Sequence, residues 1–196
     1  MGGVMSSVTI SGDTSGSIIL QAPSVAGSTT LTLPTTTGTL VTSNAMPTGS
    51  VLQVVSTTKT NTFSTASTTF TDITGLSVTI TPTSSSNQIL VLVGVTGIGT
   101  DVASAGATGY VLVRGSTIIA QASSGSAPFT GQLSNRNVGG TAHTFNHAIS
   151  HLDSPATTSA TTYKVQGRAT TGTLYINTDP DNTTTVSSIT VMEIKG

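Results

Sequence analysis

The chain has 196 residues and a formal net charge of -1, and only 7% of its residues are charged, against about 25% in a typical soluble domain. The basic residues Lys59, Arg114, Arg136, Lys164, Arg168 and Lys195 are scattered along it, which excludes a protein built to neutralise a nucleic-acid backbone. There is no cysteine, so neither disulfides nor thiolate clusters hold the fold, and no apolar run approaches the roughly 20 residues of a helical membrane span.

Ser and Thr stand where charges usually would. Thr, Val and Ile are stiff at χ1 and fit a pleated surface. With 21 Gly and 7 Pro as punctuation, the composition predicts an all-β protein. Disorder is not expected, because it needs high net charge beside low hydrophobicity. The start, MGGVMSSVTI, lacks the basic and apolar regions of a secretory signal. The expectation is a soluble chain made in a cytoplasm.

Val8 to Val41 alternates short apolar pieces with turns. VTI precedes SGDTSGS, IILQA precedes PSVAGS, TTLTLP precedes TTTG, and TLVT follows. Such short β pieces cannot bury a face alone and leave unpaired edges. Three copies winding together would pair those edges and bury the Val, Ile and Leu pairs. Residues 1–46 are therefore expected to form one third of a trimeric β shaft or arm. In SNAMPTGS the breakers Pro47 and Gly49 predict a linker over 47–50.

From Val51 the segments lengthen. VLQVVSTTKT, TTFTDI and LSVTITP predict strands, and ILVLVGVTGIG is apolar enough for a strand buried on both faces. TGYVLVRGSTIIAQA predicts a hairpin with Arg114, Gly115 and Ser116 at its tip. AHTFNHAISHLDSP alternates with period two. TTYKVQGRAT sets Tyr163, Val165, Gly167 and Ala169 on one face and Lys164, Gln166 and Arg168 on the other. GTLYINT and SSITVMEIKG complete the series. Strands at this spacing predict a sandwich or jelly roll over 51–196, with no helix. ILVLVGV and SSITVMEI have too few polar positions to leave a face in water, so another copy of the chain is expected to cover them; two-fold symmetry could do so, but the interleaved short strands of the shaft favour three.

GDTSGSIILQAPSVAGSTTLTLPTTTGTLVTS resembles a module of tail-fibre and other virion structural proteins of tailed bacteriophages. FTDITGLSVTITPTSSSNQILVLV, RGSTIIAQ, LDSPATTSATTYKVQGR and SSITVMEIKG resemble the domain that often follows it. The resemblance implies a homotrimer whose knob is a jelly roll similar to TNF and C1q-like trimers. It implies a virion location and a tail fibre for host-surface adhesion, bound to another virion protein through its N-terminal region. The alternative is a capsid decoration protein or head fibre. A host glycan or protein is the expected outside partner, contacted by the loops 97–109 and 121–140.

Several residues invite chemistry. His143, His147 and His151 share a face in a strand as well as in a helix, with Phe145 and Ile149 between them. Neighbours in that trio lie roughly 13 Å apart in a strand, too far for one metal in one chain. Three copies of one His around an axis would be needed, and hydrogen-bonded core or interface His is the favoured reading. Asn177, Asp179 and Asp181 mimic the start of a calcium loop, but Asn182 replaces its glycine and Ser188 its final Glu, so a plain turn is favoured. Gly94 to Gly109 lacks the third glycine of a dinucleotide loop. No nucleophile elbow, P-loop or HExxH motif is present. The acids Asp13, Asp72, Asp101, Asp153, Asp179, Asp181 and Glu193 are the only candidates for a glycan depolymerase, and the chain has no Trp to line a sugar groove. No catalytic, cofactor or metal-binding residue is assigned.

Overall fold

A computed structural model of the chain describes residues 7–11, 13–21, 35–36, 46–98, 107–120, 133–136, 144–178 and 184–196. Contacts divide the chain into two compact units, Met1–Val41 and Thr42–Gly196.

In the first unit, β1 (Ser7–Ser11) and β2 (Ser17–Gln21) form an antiparallel hairpin, with Val8 opposite Leu20 and Ile10 opposite Ile18. Val8 and Ile10 lie on one face and Ile19 on the other, and all three are exposed. A two-stranded hairpin is marginal in water even with one covered face; this one has apolar residues on both. The expected pieces TTLTLP and TLVT lie outside the described residues.

The second unit is a sandwich of two antiparallel sheets. Its strands are β3 (Val51–Lys59), β4 (Phe63–Thr65), β5 (Thr71–Ile80), β6 (Gln88–Ile98), β7 (Ala107–Arg114), β8 (Thr117–Ala120), β9 (Leu133–Arg136), β10 (Thr144–Asp153), β11 (Thr161–Ala169), β12 (Leu174–Ile176) and β13 (Ser187–Ile194). No helix occurs among the described residues. The pairing is that of one long hairpin rolled up: β3 pairs β13, β5 pairs β11, β6 pairs β10, and β7 pairs β8 and β9. Successive pairs alternate between the sheets. The joins β13–β6 and β11–β7 then give the orders β3-β13-β6-β10 and β5-β11-β7-β8. This is a jelly roll.

The core lies between the sheets. Ile89, Val91, Val93 and Val95 of β6 join Ile189 and Val191 of β13, and they face Ile73, Leu76, Val78 and Ile80 of β5 with Tyr163 and Val165 of β11. Alternation along each strand produces this layer, since every second residue points inward. Two expectations need correction. TTFTDI and LSVTITP are not separate strands: β5 runs through the intervening Gly75, whose φ of 84° accommodates a register shift opposite Lys164 and Gln166. β6 is not buried on both faces of the chain. Ile89, Val91, Val93 and Val95 are inside, while Leu92 and Gly94 are exposed.

Residues 47–50 are held by the opposite end of the sequence. Gly49 N donates to Lys195 O at 2.8 Å, and Lys195 N donates to Ser50 O at 2.9 Å. Two polar clusters pin the sandwich. Asp153, ending β10 in one sheet, accepts from Arg114 Nη1 at 2.8 Å and from Tyr163 Oη at 2.6 Å, both in the other sheet. Glu193 is fully buried in β13. Its carboxylate accepts from Gln53 Nε2 and Asn87 Nδ2 at 2.6 Å, from Thr83 N at 2.6 Å and from Thr83 Oγ1 at 2.8 Å. Burial alone would raise its pKa, but the donors from Asn87, Gln53 and Thr83 outweigh burial and hold it below the ordinary value.

Glu193→Gln should therefore destabilise the protein by about 3 kcal/mol in urea unfolding, because the new amide points donors at donors. The sign of the pH effect follows from the lowered pKa. The carboxylate's contribution is full above the ordinary glutamate value of 4.5 and is lost as pH falls through the folded pKa. The variant should show a shallower loss of stability below pH 4.5 than the wild type.

Candidate functional site

Directly opposed residues of an antiparallel pair point to the same side of the sheet. The registers of β3, β13, β6 and β10 therefore define an outer face row by row. Val54, Met192, Leu90 and Leu152 form one row across all four strands. Ser56, Thr190, Leu92 and Ser150 form the next, and Thr58, Ser188, Gly94 and Ala148 the third. Thr96 and Asn146 follow. None of these residues is ionisable. At the usual strand spacing the first row is an aliphatic line about 14 Å long. Its ends are open to solvent: Val54 is 55% exposed and Leu152 50%.

The polar groups on this face are partly satisfied from within it. Ser56 Oγ and Thr190 Oγ1 are 2.8 Å apart, and Thr96 Oγ1 donates to Asn146 Oδ1 at 2.9 Å. Covering them therefore leaves fewer bonds to be lost to desolvation. Beside the third row the surface sinks into a depression of about 290 Å³, lined by Gly94, Val95, Thr96, Asn146, His147, Ala148, Val186 and Ser188.

The outer side of the other sheet is chemically different. Lys164 Nζ binds Asp72 Oδ2 at 2.8 Å and Gln166 Nε2 binds Asp72 Oδ1 at 2.7 Å, on exposed surface. The donors of Lys164 and Gln166 hold the Asp72 carboxyl below its ordinary range. One sheet thus shows water a face with a charged, hydrogen-bonded cluster, and the other shows it an uncharged face in which an aliphatic line adjoins Ser and Thr side chains.

His147 and His151 do share a face of β10, either side of buried Ile149, and that face is the inner one: His151 lies opposite Val91 and His147 opposite Val95. The His147 ring packs against Tyr110 at 5.4 Å, and burial lowers its pKa, so the imidazole is neutral at pH 7. Burial likewise pushes the Tyr110 hydroxyl up to about 12. Neither imidazole belongs to the outer face. His143 lies outside the described residues.

Asn177 is a buried hub. Its Nδ2 donates to Lys59 O at 2.7 Å and to Asn61 O at 3.1 Å, and its Oδ1 accepts from Ser187 Oγ at 2.6 Å. Its φ of 59° turns the chain there. The side-chain oxygen that a calcium ion would use is committed to Ser187, while Asp179 and Asp181 lie outside the described residues. No group of three or more His, Asp or Glu suited to a metal occurs among the described residues. Of the loops 97–109 and 121–140, only 97–98, 107–109 and 133–136 are described, and these are strand. Asp72, Asp153 and Glu193 sit on three different strands, each held by its own donors.

The line of Val54, Leu90, Met192 and Leu152 escapes residue-by-residue reading because each belongs to a different segment. Its signal is that β6 and β13 are apolar in both phases of their alternation.

No protein-family model matches the chain. No curated protein matches it. A solved structure described as Eiger TNF from S. frugiperda aligns over 72% of this chain and 92% of its own, at 12% sequence identity and a TM-score of 0.29. The jelly-roll assignment rests on the strand pairing itself.

Asn177→Ala removes two buried hydrogen bonds and a part-buried one, and places a Cβ-bearing residue without a side-chain amide at positive φ. It should cost about 3 kcal/mol in denaturant unfolding.

Proposed function

We propose that the chain is a virion structural protein of a tailed bacteriophage, a homotrimeric fibre whose jelly-roll knob adheres to the host surface as part of a tail fibre. The observation that carries this reading is the uncharged outer face of β3-β13-β6-β10, with its aliphatic line across the sheet. A contiguous apolar patch of this kind marks an interaction site. A second copy of the chain covers it without burying an unpaired charge. The exposed Val8, Ile10 and Ile19 of the N-terminal hairpin support the same reading for a shaft of interleaved chains. The resemblance of the sequence to phage fibre modules supplies the virion setting. The role is adhesive and non-enzymatic: three weak sites on one rigid trimer bind a repetitive surface by multivalency. The protein carries no cofactor in this reading. A capsid decoration protein or head fibre would use the same trimer, and gold-labelled antibody on intact particles separates the two placements.

Light scattering coupled to size exclusion should return three times the 19.5 kDa chain mass. The interface should exceed the roughly 2,000 Å² typical of permanent assemblies. Leu92→Glu, which puts a carboxylate on the aliphatic face, should weaken assembly by about 3 kcal/mol or more per interface. A wild-type monomer at micromolar concentration overturns the reading.

A further inference from the structure

Five glycines sit within the sandwich strands, Gly75, Gly94, Gly97, Gly109 and Gly167. Gly75 serves the bulge of β5 at positive φ, Gly109 is buried with the Phe70 ring 3.6 Å from where a Cβ would sit, and Gly97 and Gly167 are crowded from within. A Cβ at Gly97 would lie 2.6 Å from Tyr175 O, where β12 crosses close to β6. A Cβ at Gly167 would lie 2.6 Å from Leu174 Cδ2, inside the core. Gly94 has none of these constraints. Its φ is outside the left-handed region, and a Cβ there meets only Ser188 Oγ at 3.8 Å, an ordinary contact. Glycine in the middle of a strand costs backbone entropy and packs nothing. Within the chain, β6 gains nothing in return.

The gain lies outside the chain. Gly94 stands between Ser188 and Ala148 in its row, so three small residues side by side keep open the depression of about 290 Å³. A void of about 150 Å³ already takes a benzene-sized group. We propose that this depression is a socket that receives an aliphatic side chain from a second copy of the chain. The proposal rests on the self-association reading and adds the residue that shapes the contact.

Charge selects the occupant. The one ionisable residue lining the socket is His147, which burial keeps neutral at pH 7, and the row beside it has none, so a charged partner would gain no counter-charge there. The socket also continues directly into the aliphatic line of the same face. The chain itself supplies matching uncharged knobs, since Val54, Leu152 and Val186 are each about half exposed or more. A small molecule would find little to orient it, because the neighbouring Thr96 hydroxyl is already bonded to Asn146.

The test fills the socket. Gly94→Leu and Gly94→Ala are compared with wild type and with Ser77→Leu, on the outer side of the opposite sheet. Dissociation on dilution is followed by sedimentation, with far-UV circular dichroism on the same samples. Gly94→Leu should raise the dissociation midpoint at least tenfold while keeping the β spectrum, Gly94→Ala should raise it by less, and Ser77→Leu should leave it unchanged. If Gly94→Leu assembles as wild type does, the socket is refuted and self-association stands. If Gly94→Leu fails to fold, Gly94→Ala decides: a weaker assembly supports the socket, and an unchanged one refutes it. A wild type that sediments as a monomer refutes self-association itself.

Discussion

The insertion of β13 between β3 and β6 is the constraint on which the rest depends. It brings the last strand against the first strand of the sandwich, so Gln53 and Glu193 meet although 140 positions separate them. It completes the inner layer with Ile189 and Val191, and it carries Met192 to the centre of the outer one. Long-range pairings of this kind repay their loop-closure entropy only once both strands are in place. The Glu193 cluster holds that arrangement in register. Four donors from β3 and the β5–β6 turn converge on one carboxylate, and a slip of one residue would turn Glu193 to the outside and bring Met192 in.

The same strand exposes a conflict that folding of one chain does not resolve. β6 and β13 have apolar residues in both phases of their alternation, and one sandwich covers only one phase. The other phase is left on the surface as the line of Val54, Met192, Leu90 and Leu152. Ser56 bonds Thr190 and Thr96 bonds Asn146 on that face, which lowers the cost of covering it with something that brings no water. The low charge of the composition is thus not spread evenly. The Asp72–Lys164 pair lies on the sheet opposite the uncharged face.

Much of the fold was legible in the sequence, because alternation is a local signal. The strand from Thr161 to Ala169 buries Tyr163, Val165, Gly167 and Ala169 as its period demands, and the hairpin tip at Gly115 falls where the turn residues place it. A single chain buries one face of β6, and residues apolar in both phases do not tell a second sheet of the same chain from a surface left outside. The apparent gap between TTFTDI and LSVTITP is a bulge at Gly75, and the sequence does not separate the two because a bulge and a turn both use glycine at positive φ. The candidate face was not legible residue by residue. Its rows depend on registers between segments about 50 to 140 positions apart, and no local pattern encodes those. In the sequence Asn177 stands out beside Asp179 and Asp181, which lie outside the described residues, while its bonding partners Lys59, Asn61 and Ser187 include two from more than a hundred positions away.

The juxtaposition of Ser50 and Lys195 has a mechanical consequence. A pull transmitted through the N-terminal unit reaches the sandwich at the Val51 end of β3. That strand is paired to β13 at eight positions, from Ile194 back to Ser187. Tension directed along β3 away from its Lys59 end would act on those pairs in shear, straining them together instead of opening them one after another. Under tension in that direction the junction would act as a clamp, its failure governed by the unfolding rate of the sandwich and not by its equilibrium stability at rest.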